Sequence, residues 1–146
     1  MTITRLFDVL EHIKEDTDVL RQIYLALKPG GYLLITVPQH QWLWSSFDVF
    51  SCHERRYSAK DLHKKIKHAG FEIIRSSSFV SGLLPVMYID RISKKKMEYN
   101  LFSGLELNVF MNNFFSFFLS LDILLIRFGI NLPLGGSRFV VAKKTI

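Results

Sequence analysis

Two groups of residues in this chain carry side chains suited to acid–base, metal or anion chemistry. The first is Asp8-x-x-Glu11-His12, two carboxylates and an imidazole within five residues. It falls where a strand passes into a helix, and open α/β sheets bind ligands at such strand ends. Its mixed oxygen and imidazole donors are of borderline strength and suit magnesium or manganese. The second is residues 39–57, QHQWLWSSFDVFSCHERRY, with two Trp, two His and two adjacent Arg. His53 is a candidate base, since an unperturbed imidazole titrates near pH ~6.5. Arg55 or Arg56 can hold an acidic or phosphorylated ligand through paired hydrogen bonds. The structural alternative is that Arg56 and Tyr57 anchor the segment to the following helix, with Asp48 as ion partner. Cys52 beside His53 is not read as a thiol–imidazole dyad, because such partners meet in space rather than in sequence.

The elements that must position these groups follow from periodicity. Residues 2–7 are rich in β-branched types and read as a short strand with almost no lead-in. Val19, Leu20, Ile23, Tyr24 and Leu27 follow helical spacing and make one apolar stripe. Asp16 or Thr17 is expected to cap that helix, with Asp18 at its positive end and Lys28 at its negative end. Pro29, Gly30 and Gly31 are expected to stop it. Residues 32–37, YLLITV, form an apolar run of strand length, the pattern of a strand buried on both faces. Pro38 ends it. Ser58 and Asp61 form an N-cap pair ahead of a helix whose face is Leu62, Ile66 and Ala69, closed by Gly70. Residues 71–79 read as a third strand and residues 138–143 as a last one. Alternation of this kind implies a layered α/β sheet with right-handed crossovers.

Residues 83–132 break the alternation. They are apolar, basic and helical in character, and hold seven of the 13 Phe. Asn112, Asn113 and Asp122 interrupt the most apolar stretch. An Asp near a bilayer centre costs about 2.5–3.5 kcal/mol, which argues against a spanning helix. The segment is expected to cover one face of the sheet. A dimer or domain interface is the next reading. A lid over an apolar ligand, or a membrane-surface contact through Arg91 and the lysines at 94–96, follows.

The chain has 146 residues, enough for a single domain, and 49% are apolar. A net charge of +6 favours acidic partners but fits an ordinary basic surface equally well. Its basic residues lack the aromatic interleaving of a nucleic-acid face. One cysteine excludes an intrachain disulfide and fits a reducing compartment. The first residues carry acids where a signal peptide has an apolar stretch. A cytoplasmic location is expected, with membrane association as the alternative.

Residues 6–38 resemble the second half of class I S-adenosylmethionine-dependent methyltransferases. Phe7-Asp8-Val9-Leu10-Glu11-His12 is similar to the segment that ends the family's fourth strand. Leu27-Lys28-Pro29-Gly30-Gly31 resembles the close of the following helix, and residues 32–38 the fifth strand. Trp42-Leu43-Trp44-Ser45, Asp48, His53, Arg55-Arg56-Tyr57-Ser58 and His68-Ala69-Gly70-Phe71 resemble one subgroup, and residues 138–144 the antiparallel seventh strand.

The resemblance implies an α/β, partial Rossmann-like sheet of strands 4-5-7-6, the last-made strand antiparallel, with a helical insertion before it. It implies methyl transfer from S-adenosylmethionine to a small or lipid-linked acceptor. The backbone at Phe7 and Asp8 would pack against the cofactor. His40, Trp42, Arg56 and Tyr57 would face the acceptor, and His53 and His12 would be catalytic. Similar D/E-x-x-E-H segments bind a divalent metal in some methyltransferases. Asp8, Glu11 and His12 would then be ligands, with His53 or His40 as a fourth. The preferred reading has no metal, with Glu11 and His12 orienting the loop by hydrogen bonds. The family's Gly-rich cofactor loop has no counterpart here, since the 146 residues contain no G-x-G. The chain is therefore expected to hold an incomplete cofactor site, as a fragment, as half of a split enzyme, or as a non-catalytic assembly module. The fourth strand, placed at an edge, is expected to recruit a second copy.

Overall fold

A computed structural model describes residues 2–93 and 109–145 of the chain. The elements are β1 (Ile3–Phe7), a 3-10 turn (Leu10–His12), α1 (Asp16–Ala26), β2 (Tyr32–Pro38), a second 3-10 turn (Gln41–Leu43), α2 (Ser46–Phe50), α3 (Ala59–His68), β3 (Phe71–Phe79), α4 (Leu84–Ser93), α5 (Val109–Arg127) and β4 (Ser137–Lys144). The four strands form one sheet in the order β1-β2-β4-β3. β1 and β2 are parallel, from Ile3 opposite Tyr32 to Phe7 opposite Thr36. β4 runs antiparallel to both its neighbours. This is the 4-5-7-6 order that the resemblance implied, with the reversed strand in the expected place.

The alternation in the sequence explains the layers. Leu33, Ile35 and Val37 of β2 and Val140 and Ala142 of β4 point to one face. There they meet Leu20 of α1 and Leu62 and Ile66 of α3, with Leu10, Leu27, Tyr57 and Phe71 completing the core. Residues 32–37 were expected to be buried on both faces. Only one face is fully buried: Leu34 and Thr36, on the other, stay half-covered among the described residues. On the β3 side α5 contacts the sheet. There Asp122, the residue that interrupts the apolar run, is buried and accepts a 2.6 Å hydrogen bond from the Ser81 amide. The rest of α5 leaves Phe117, Ile123 and Leu124 exposed, and Phe128 just after it is exposed too. Residues 94–96, one candidate for a membrane contact, lie outside the described residues. No helix among the described residues is long and apolar enough to cross a membrane.

Three local expectations are corrected. Neither Asp16 nor Thr17 caps α1; Glu15 holds the cap position without a side-chain bond. Asp16 is instead drawn inward by partners from a distant segment. The helix ends at Ala26, before Lys28 and Pro29, because Leu27 turns extended and buries itself in the core. Residues 39–57 are not a plain loop, since they contain a 3-10 turn and α2. The Ser58 cap is as expected: its hydroxyl accepts the Asp61 amide at 3.0 Å. Gly70 has φ +103°, and a Cβ there would lie 2.9 Å from the Tyr24 ring, so glycine is needed for both reasons.

Candidate active site

The carboxyl ends of β1 and β2 and the start of β4 open on a cleft of about 470 Å³. Its walls include Asp8, Glu11, His12, Pro38, His53 and Arg56, with Phe47 of α2 and Met87 of α4. Asp8 ends β1 in a left-handed conformation, φ +50°, rare for any residue but Gly, Asn or Asp. Its amide donates to the Thr36 carbonyl, and the Thr36 hydroxyl donates to its carboxylate. The tight turn drops Glu11 and His12 onto the cleft wall.

The segment 39–57 is shaped by one buried carboxylate. Asp48 is fully buried and accepts from the Ser45 amide (2.8 Å), the Ser45 hydroxyl (2.9 Å), Arg56 Nε (2.8 Å) and Arg56 Nη2 (3.0 Å). It also accepts from His53 Nδ1 at 2.8 Å. Burial alone would push its carboxyl up, but Arg56, His53 and Ser45 outweigh that and hold it low. The bond fixes the His53 tautomer, leaving Nε2 as the second ring nitrogen. The Glu54 amide donates to the Glu11 carbonyl at 2.7 Å, pinning the segment beside the first turn. His12 and His53 consequently meet edge to face, with ring centroids 4.7 Å apart.

A second buried carboxylate locks the back of the site. Asp16 Oδ2 accepts from Arg55 (2.6 Å), Lys65 (2.6 Å) and the Tyr57 hydroxyl (2.7 Å). Burial raises its carboxyl, but the bonds from Lys65, Tyr57 and Arg55 win and hold it at about 2. Burial and the Asp16 charge push the Tyr57 hydroxyl well above its ordinary range.

Glu11 is treated differently. It is fully buried, and neither carboxylate oxygen accepts a hydrogen bond from another residue. Burial pushes its carboxyl above the usual range; its own backbone amide opposes, the Asp8 charge adds, and His12 and His53 pull slightly back. Glu11 does join the loop by a hydrogen bond, but through its backbone carbonyl, which accepts the Glu54 amide, and not through its carboxylate.

The cleft brings together Asp8, Glu11, His12, His53 and Arg56 of the residues singled out in the sequence. Phe7 is not on its wall and is exposed at the β1 edge. Tyr57 is buried away from it as an anchor of Asp16 and of the Leu10 carbonyl. His40, with φ +64°, stacks on Trp42 at 5.1 Å, and Trp42 meets Tyr88 of α4. Burial, with Arg138 and Arg56 nearby, lowers the His40 pKa. Neither arginine fork is available for an acidic acceptor, because Asp16 engages Arg55 and Asp48 engages Arg56. Pro38, Phe47 and Met87 were missed, since apolar lining residues carry no signal that separates them from core.

An open α/β sheet with its crevice outside the carboxyl ends of parallel strands is the Rossmann-like class of ligand-binding folds. Within that class the comparisons are specific. Residues 3–76 match the model of the methyltransferase domain family, and the chain belongs to that family. No curated protein matches its sequence. Its fold is similar to a SAM-dependent methyltransferase from Archaeoglobus fulgidus, at 14% identity and TM-score 0.56, over 99% of this chain and 59% of that one. It is also similar to phosphoethanolamine N-methyltransferase 2 of Haemonchus contortus in complex with S-adenosyl-L-methionine, at 18% identity and TM-score 0.54, over 100% and 34%. The [4+2]-cyclase SpnF matches at 18% and TM-score 0.53, over 100% and 51%. The chain thus spans between about a third and three fifths of the length of these structures. A cyclase among them shows that this fold hosts more than one reaction.

Proposed function

We propose that this chain supplies the acceptor side of a S-adenosylmethionine-dependent methyltransferase, acting on a small or lipid-linked acceptor. The observation that carries this is the cleft outside β1 and β2, where two imidazoles face one space with apolar walls. Methyl transfer breaks the sulfonium S–CH3 bond, returns its electron pair to sulfur and forms a bond from the acceptor atom to carbon. The protein's part is alignment and exclusion of water. The exposed Phe7 side chain and the Asp8 backbone offer the cofactor a shelf beside the cleft. A proton leaving the acceptor has His12 or His53 Nε2 to receive it, and Asp48 holds the His53 ring in place through Nδ1. Phe47 of α2 is half-exposed on the cleft wall and suits an acceptor with an apolar portion.

Cofactor contact is tested by titrating the chain with S-adenosylhomocysteine and following backbone amide resonances. The family's glycine loop is not among these residues, so millimolar affinity is the expected order. Shifts should cluster at Phe7, Asp8 and His40. A spectrum unchanged at saturating ligand overturns the assignment.

A second reading, assembly through β1, is favoured by the open edge. Tyr32 donates to the Thr2 carbonyl and Asp8 to the Thr36 carbonyl. Even-numbered residues of β1 thus face β2, and the backbone of Ile3, Arg5 and Phe7 faces outward. Two copies joined there would make an eight-stranded sheet, the geometry by which exposed edges pair.

A further inference from the structure

We infer that α5 is a docking surface for the α5 helix of a second copy of this chain, the two helices packing antiparallel about Leu121. Phe114, Phe117, Leu121, Leu124 and Phe128 are exposed, and they recur at intervals of three, four, three and four residues. That is the spacing of a helix–helix seam, and it sets all five on one narrow line down the helix. The Phe128 amide donates to the Leu124 carbonyl, so the last turn reaches far enough to keep Phe128 in that line.

This line is not the face that α5 turns toward its own sheet. Asp122 marks that inner face, buried and bonded to the Ser81 amide, with Phe115, Phe118 and Ile126 beside it and less exposed. Nor is it the solvent side. Asn113, Ser116, Ser120 and Arg127 lie together on a third flank, where Ile123 is the one apolar residue. Polar side chains are thus gathered on one exposed flank of the helix and kept off the other. An apolar flank sorted in this way is built to be covered.

The partner that fits it is a helix. A helix that lies on a membrane surface carries lysines and arginines along its polar flank. Between residues 113 and 129 the charged residues are Asp122, which is buried, and Arg127. A second copy supplies a helix of matching length, and the stripe is self-complementary. Turned end for end about Leu121, Phe114 meets Phe128 of the partner subunit and Phe117 meets Leu124 of the partner subunit, the reciprocal pattern of a two-fold interface. A parallel pair would bring the two Arg127 side chains to the same height. The antiparallel pair sets them about 18 Å apart along the axis, beyond a Debye length of about 8 Å.

A seam of two heptads is marginal between isolated helices, but α5 is already folded against the sheet, so pairing need not form it. At roughly 200 Å² for a fully exposed Phe or Leu, the stripe offers on the order of 500 Å² per copy. A total of about 1,000 Å² is the low end for a specific interface, and a dissociation constant of roughly tens of micromolar is the expected order. The contact is separate from any pairing through β1, since α5 meets the sheet at β3 and β1 is the opposite edge. It does not depend on the reading of the cleft.

Sedimentation equilibrium of the whole chain, from about 5 to 300 µM, reads the contact directly. The parent chain should fit a monomer–dimer equilibrium. Leu121→Glu sets two like charges on the two-fold axis and should weaken dimerisation by at least about tenfold, with the thermal melt of the monomer unchanged because Leu121 is exposed. Phe117→Ser, at a more exposed position, should weaken it too. Ile123→Glu, on the polar flank, should leave the dimer as it is, and so should Arg5→Pro at the β1 edge. Direction is read by two double variants. Phe114→Lys with Phe128→Glu sets opposite charges together across an antiparallel seam and should dimerise, whereas Phe114→Glu with Phe128→Glu should not. A chain that stays monomeric throughout overturns the inference, and flotation of that monomer with phosphatidylglycerol vesicles would give the stripe to lipid instead. A dimer that survives both Leu121→Glu and Phe117→Ser overturns it as well. A dimer lost in Arg5→Pro does the same and returns the contact to β1. Loss of the dimer in Phe114→Lys with Phe128→Glu overturns the antiparallel arrangement.

Discussion

Asp16 ties three segments together through one oxygen. Arg55 precedes α3, Lys65 lies within it, and Tyr57 donates from between them, so the carboxylate clamps α1 to α3 and the segment before it. Its carboxyl is held at about 2, below the ordinary 3.8. A depressed acid contributes stability that is present above its unfolded pKa and is lost as pH falls through the folded value. The contribution should therefore be complete above pH ~4 and fade toward pH ~2. Asp16→Asn should cost about 2–4 kcal/mol at neutral pH, toward the low side because Arg55 and Lys65 can still reach water. Urea midpoints at pH 7 and pH 3 check this: the gap between wild type and variant should narrow at the lower pH. Sequence reading placed Asp16 at a helix start, where an acid is ordinary. Its true partners lie some 40 or more positions away, and nothing local announces them. The Asp48–Arg56 pair was legible because eight residues separate them in one chemically loaded stretch. That Glu11 would be buried bare was not legible, since burial depends on where residues 53 and 54 fold back.

Strands and helices with a clear period were legible to within a residue or two. β3 spans the expected residues, with an unforeseen irregularity in register between Ile73 and Arg75. α2 and the 3-10 turns were not legible, because each is too short to show a helical stripe, and α2 is shaped by the bonds of Asp48 to Ser45 instead. β1 is the element with most left to test. Arg5 has its amide directed away from β2, so Arg5→Pro removes an outward donor while sparing the ladder to β2, the placement in which strands tolerate proline. If β1 joins two copies, light scattering should show Arg5→Pro as a monomer where the parent chain associates, with the far-ultraviolet spectrum unchanged. Association persisting in the variant would place the contact elsewhere, with the exposed apolar face of α5 next in line.

At the scale of the whole molecule, the sheet is a relay rather than a row of neighbours in sequence. β2 and β3 share no ladder. β4 pairs with both of them, and a hydrogen bond from the Ser78 hydroxyl to Gln39 adds a side-chain link across the gap. Order and direction of the strands were legible from the resemblance, because the final basic-apolar run fitted a reversed strand. Which residues of α4 and α5 meet the sheet was not, since their apolar residues are spread around the helices rather than gathered in one stripe.

The keystone of this arch, residues 137–144, is thus made after the three strands it completes. Until they emerge during synthesis, the two flanking ribbons have nothing to zip onto, and the earlier residues wait with their ladder groups open to water or to chaperones. Trimming the chain back to residue 136 should accordingly abolish cooperative melting throughout, rather than fray one end, and a calorimetric scan would register the loss as a missing transition.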